Sequence, residues 1–172
     1  MATQNKKCIF LVDDEPIQNE MLKDYLSERF DYDIKTYESG EAAIKEMHLN
    51  PDIIVLDFHL SAHLPDAKNG VEVLKEMKKI APGTQVIMLS GQDKLEVAVD
   101  SMKYGAYDYV VKSETAFSRM ENIFNNINEL RGLKVSHKTY KTITYLLFAA
   151  IVILVIFSAY LVQKLDVSMP VK

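Results

Sequence analysis

Residues 53–57 read Ile53-Ile54-Val55-Leu56-Asp57, four consecutive apolar side chains ended by a carboxylate. A short run with no polar alternation reads as a strand buried on both faces, as in a parallel sheet covered by helices on each side. Cys8–Val12 and Val86–Leu89 are runs of the same kind, and Asp33–Tyr37 and Tyr107–Val111 are weaker strand candidates nearer the edges. Between them, Pro16–Arg29, Gly40–Leu49, Val71–Ile80 and Leu95–Tyr104 carry apolar residues at helical spacing. In the third of these, Val71, Leu74, Met77 and Ile80 form the expected inner stripe, with Glu72, Lys75, Glu76, Lys78 and Lys79 outside. Thr115–Arg131 is a fifth helix, striped by Phe117, Met120, Ile123, Phe124, Ile127 and Leu130, with Gly132 as its stop. Five strands, each followed by a helix, predict an α/β domain with a doubly wound five-stranded parallel sheet.

The charge is unevenly spread. Residues 1–131 hold 15 Lys+Arg and 23 Asp+Glu, whereas residues 132–172 hold 5 and 1. An acidic body lacks the basic face that displaces counterions from phosphate, so no nucleic-acid partner is expected. The single cysteine, Cys8, begins a buried strand and reads as a structural thiol, and nothing demands an oxidising compartment. No signal peptide is expected at the N-terminus, because the apolar run from Cys8 is broken at Asp13 and Asp14.

In a doubly wound sheet, ligands bind beyond the carboxyl ends of the strands. The first strand ends in Asp13 and Asp14, the third in Asp57, the fourth in Ser90 and the fifth in Lys112. A lone aspartate at such a place is ordinarily a helix cap, and a lone serine before glycine a turn. All five at one edge are another matter. Three converging carboxylates repel and require a cation. An all-oxygen ligand set without sulfur or clustered histidine points to a hard ion, and Mg²⁺ suits a site of few carboxylates, waters and a phosphate oxygen. A carboxylate between that ion and Lys112 can attack phosphorus, with Ser90 hydrogen-bonding a phosphoryl oxygen.

The segments Val12-Asp13-Asp14-Glu15, Ile54-Val55-Leu56-Asp57, Met88-Leu89-Ser90-Gly91 and Tyr109-Val110-Val111-Lys112 resemble the receiver domain of bacterial response regulators in two-component systems, over about residues 7–131. The resemblance implies the flavodoxin-like strand order 2-1-3-4-5. It makes Asp57 the phospho-acceptor, and Asp13, Asp14 and Asp57 with the backbone carbonyl of His59 the Mg²⁺ ligands. Ser90 and Tyr109 become the switch pair, with the tyrosine ring turning inward, and Lys112 the phosphoryl partner. His59, two residues past the acceptor, becomes a modulator of the hydrolytic water. Gly70 and Gly105 fit the family's glycines. A histidine kinase is the implied donor, and the protein assists its own phosphorylation rather than acting as an enzyme on other molecules. Two departures stand out: Ser61 and Ser113 occupy positions where the family usually has proline, the second in a cis peptide. The 58–69 loop is also longer than usual.

At the other end, Ile143 to Val162 is 20 residues without a formal charge, about 30 Å as a helix, which predicts a membrane span. Arg131, Lys134, Lys138 and Lys141 precede it and Lys164 and Lys172 follow, so the positive-inside rule orients it. The expected organisation is a receiver at 1–131, a basic juxtamembrane linker at 132–142, a transmembrane helix at 143–162 and a short extracytoplasmic tail at 163–172. The expected location is the inner membrane, single-pass, with the receiver in the cytoplasm. With no helix-turn-helix or catalytic output unit in the chain, output is expected as a phosphorylation-dependent surface change read by a protein partner. The competing reading is a phosphorylation-independent membrane adaptor built on the receiver fold.

Overall fold

The computed structural model describes residues 6–60, 68–91 and 95–166, with side chains for these apart from 131–142, 159 and 162–166. Ser61, the middle of the 58–69 loop and residues 167–172 of the expected tail lie outside the described residues. The chain divides into two compact units, 1–125 and 126–172.

The first unit is built on five parallel strands: β1 (Lys7–Val12), β2 (Tyr32–Tyr37), β3 (Ile53–Asp57), β4 (Gln85–Ser90) and β5 (Asp108–Val111). Their order is β2-β1-β3-β4-β5, as the resemblance implied. The central strands are the continuous apolar runs: Ile53, Ile54 and Leu56 are fully buried, as are Val86, Ile87 and Met88. Each such side chain contributes roughly 1.5–3 kcal/mol by leaving water. Helices α1 (Pro16–Ser27), α2 (Gly40–Lys45), α3 (Gly70–Ile80) and α4 (Leu95–Lys103) connect the strands, and α5 (Ala116–Asp166) follows β5. Past α2 the chain makes a 3-10 turn at Met47–Leu49 and leaves it through Asn50, whose φ of 52° is left-handed.

Register brings the chemistry together. Val12 pairs with Leu56, Asp57 with Leu89, and Ser90 with Val111, so the residues after these strands emerge side by side at one edge. The helix that follows β3 starts from a capping box: Asn69 Oδ1 accepts from the backbone N–H groups of Val71 and Glu72, and Glu72 Oε2 accepts from Asn69 N–H.

Three expectations are corrected. The inner stripe of α3 is Gly70, Val73, Leu74 and Met77, while Ile80 is exposed, because strict three-residue steps such as Val71, Leu74, Met77 and Ile80 drift by about 60° each around a helix of 3.6 residues per turn. Gly132 does not stop α5, which continues to Asp166. A glycine inside a helix costs only about 1 kcal/mol, and the residues after it, Leu133 and Lys134, are good helix formers. The expected membrane span is also overturned. Among the described residues no helix is long and apolar enough to cross a membrane. The single-pass inner-membrane placement, whose orientation rested on that span, falls with it.

Gly70 sits where α3 meets the end of β3. A Cβ there would collide with the Asp57 carbonyl oxygen and lie 2.7 Å from Phe58 Cα, both backbone atoms that cannot swing aside. Gly70→Ala is therefore expected to cost about 1–3 kcal/mol, read as a lower urea midpoint at unchanged slope; an unchanged midpoint would show that α3 can move away freely.

Candidate functional site

Asp13 and Asp57 are buried, at 5% and 2% exposure, while Asp14 is half-buried. One oxygen from each of the three lies within 4.8 Å of the others. Lys112, just beyond β5, reaches between the buried pair: its Nζ is 2.7 Å from Asp13 Oδ2 and 3.0 Å from Asp57 Oδ1. The lysine is carried there by its backbone, since Lys112 N–H donates to Ser90 O at 2.7 Å. No cis peptide occurs among the described residues, the Lys112–Ser113 bond included, so Ser113 delivers the lysine through a trans bond.

Both buried carboxylates are oriented. Asp13 Oδ1 accepts from Glu15 N–H at 2.9 Å, and Asp57 Oδ2 accepts from His59 N–H at 2.7 Å. Asp57 Oδ1 is different. Its contact with Lys112 is one of charge rather than an aligned hydrogen bond, so this buried oxygen has an acceptor position still to fill. Burial pushes the Asp57 carboxyl above the ordinary aspartate range; Lys112 pulls it back, Asp13 adds to the rise, and the net direction is upward. For Lys112 burial works to lower the ammonium pKa, but Asp13 and Asp57 outweigh it and the net is upward.

The other expected residues lie nearby in the fold. Ser90 is fully buried at the end of β4. Tyr109, paired with Met88 in the sheet, is 9% exposed and belongs to the core cluster. His59 is exposed, its ring edge-on to Phe58 at 4.7 Å. An open cleft of about 410 Å³ adjoins Lys112, walled by Met21 of α1 and by Ala116 and Phe117 of α5. The sequence reading passed over Asn19, which is buried and donates to the carbonyls of Asp13 and Tyr37 at 2.9 and 3.1 Å. Its signal was its place on the inner face of α1, in line with Leu22 and Leu26.

The profile of the response regulator receiver domain matches residues 9–124. The chain belongs to this family. The receiver is 31% identical over 108 residues to the chemotaxis protein CheY of Thermotoga maritima, covering 62% of this chain and 85% of that protein. It is 27% identical over 134 residues to the transcriptional regulatory protein MalR of Bacillus subtilis, covering 76% of this chain but only 54% of MalR. A CheY-like receiver domain from Methanospirillum hungatei superposes with a TM-score of 0.63 at 25% identity, over 74% of this chain and 98% of that one. Receiver domains are phosphoacceptors that bind Mg²⁺ at an acidic cluster, here Asp13, Asp14 and Asp57. The donor set fits a hard cation: three carboxylates, no sulfur or imidazole, and an oxygen with acceptor capacity to spare.

A raised aspartate pKa means that the folded receiver holds the Asp57 proton more tightly than the unfolded chain does. The stability this contributes is fully present below the unfolded pKa and is lost as pH rises through the native value. Asp57→Asn, which buries no charge, is expected to melt above the wild type at neutral pH in a chelator. The gap should close toward the ordinary aspartate pKa of about 3.9; thermal melts across pH decide it, and a constant gap would exclude this titration as its cause.

Proposed function

We propose that this receiver is a phosphorylation switch in which Asp57 accepts a phosphoryl group from the phosphohistidine of a histidine kinase. The observation that carries the reading is the buried Asp57 carboxylate 3.0 Å from Lys112, within 4.8 Å of the carboxylate oxygens of Asp13 and Asp14. An Asp57 oxygen forms the new P–O bond, the donor's P–N bond breaks, and its electron pair returns to the imidazole nitrogen. Lys112 offsets charge on the phosphoryl oxygens as they approach. His59 N–H holds the other Asp57 oxygen, which fixes the direction of attack. Mg²⁺, held by Asp13, Asp14, Asp57 and the His59 backbone carbonyl, supplies further neutralisation of phosphoryl charge when bound. The cleft beside Lys112 gives the donor its approach.

After transfer, the Ser90 hydroxyl moves to a phosphoryl oxygen and Tyr109 holds the inward position. The resulting surface change is read by a protein partner. An exposed apolar stripe on α4 supports this: Leu95, Val99 and Met102, at i, i+4 and i+7, are 74%, 56% and 50% exposed. His59, exposed beside the acceptor, modulates the water that hydrolyses the acyl phosphate.

The test uses the full chain with MgCl₂ and acetyl phosphate, weighed intact. The wild type is expected to gain one phosphoryl group and Asp57→Asn none; no adduct even with a cognate kinase would favour a phosphorylation-independent adaptor. Mg²⁺ at 100 times its dissociation constant should stabilise the wild type by about 2.7 kcal/mol, most of which Asp13→Asn should lose in a thermal melt. His59→Ala should still take up the group but change its rate of loss, and an unchanged rate would remove His59 from the mechanism.

A further inference from the structure

We propose that Asn19 is a positioning residue for the phosphoryl site, the clamp that fixes the Asp13–Asp14 loop for the cation; this rests on the phosphorylation reading above. Asn19 is 4% exposed and sits one turn into α1. Its single side-chain nitrogen donates to two carbonyls on different strands' ends, Asp13 O at 2.9 Å and Tyr37 O at 3.1 Å. Tyr37 O also accepts from Asp13 N–H at 3.1 Å. One amide thus ties the end of β2 and the end of β1 to the helix that follows.

Glu15 at the N-cap makes no side-chain capping hydrogen bond, so the start of α1 is tied by Asp13 Oδ1, which accepts from Glu15 N–H, and by Asn19. The remaining buried residues of α1 are Leu22 and Leu26. A leucine could fill the place of Asn19 without burying an amide, which costs free energy unless hydrogen-bonded. What the amide adds is direction. Glu15 N–H and Lys112 each donate to one oxygen of the Asp13 carboxylate, and Asn19 donates to the Asp13 backbone carbonyl. The Asp13 and Asp14 carboxylates must stay near Asp57 against mutual repulsion whenever no cation offsets them. A loop pinned at its carbonyl keeps that arrangement; a freed loop lets the carboxylates spread, and the cation must then gather them again. Partners that orient ligands in this way typically change metal affinity or activity by about 10–100-fold when lost.

The experiment compares the full-length wild type with Asn19→Leu, which keeps the branched shape and loses both donations. Asn19→Ser, with one hydroxyl donor, covers the case in which the leucine variant does not fold. Thr84→Val is the control: Thr84 Oγ1 donates to Pro51 O at 2.9 Å, a buried side-chain-to-carbonyl bond at the opposite end of the sheet. Mg²⁺ dissociation constants come from calorimetric titration with MgCl₂, and phosphoryl gain from acetyl phosphate is followed by intact mass. Asn19→Leu is expected to weaken Mg²⁺ about tenfold or more, with Asn19→Ser between it and the wild type, and to slow phosphoryl gain at subsaturating Mg²⁺ in proportion. Thr84→Val should lower thermal stability and leave both readouts at wild-type values. A folded Asn19 variant that binds Mg²⁺ as the wild type does would overturn the clamp and reduce Asn19 to a stabilising contact. A wild type that neither binds Mg²⁺ nor gains a phosphoryl group would overturn the phosphorylation reading, and the clamp with it.

Discussion

Asp13 and Asp57 place two carboxylates almost out of water within a few ångströms of each other, and Lys112 is the ammonium set between them. Two unit charges 4 Å apart interact by about 4 kcal/mol even at an effective dielectric of 20, so the fold must bring this cation to this place. The parallel register does so. With all five strands running the same way, Asp13, Asp57, Ser90 and Lys112 leave the sheet at one edge, and Lys112 N–H on Ser90 O sets how far the lysine extends. The edge strand β5, only four residues long, ends where its lysine is needed.

The same constraint shapes the elements around the site. Helix α3 starts against the backbone of Asp57 and Phe58, a closeness that Gly70 permits because it has no Cβ. The turn after β3 brings His59 N–H onto Asp57 Oδ2, leaving the oxygen nearest Lys112 with capacity for another partner. The site is therefore held in tension: its charges lower stability while they remain unneutralised, and a cation or a phosphoryl group with its counter-ion relieves that cost.

The legibility of the chain varied with how local each signal was. Ile53–Leu56 and Val86–Leu89 announced central strands because burial on both faces leaves no polar alternation to blur them. Asp13, Asp57, Ser90 and Lys112 were legible as a group through their shared strand-end position. Helical faces were less legible. Ile17 and Met21 are apolar yet 74% and 52% exposed, and Ile80 falls off the inner stripe of α3 because three-residue steps drift around a helix of 3.6 residues per turn. Asn19 escaped notice because its function lies in two carbonyls, one of them 18 residues away. Gly132 misled because a helix stop depends on the competing conformation as well as on the residue itself. The run 143–162 suggested a span by composition, whereas among the described residues no helix is long and apolar enough to cross a membrane.

The sequence by itself determined the strand and helix alternation, the acidic character of the first unit, and which residue types stand at each strand end. These follow from local periodicity and from where an apolar run meets a charged residue. Only the tertiary structure decided the distances, Lys112 3.0 Å from Asp57 and three carboxylate oxygens within 4.8 Å, and the burial of Tyr109 in the core cluster. It also decided that Ser113 delivers Lys112 through a trans peptide and that Asn19 joins two strand ends. The physical reason is that charge interactions and hydrogen bonds act over a few ångströms between residues up to 99 positions apart, a separation that closes only when the sheet forms.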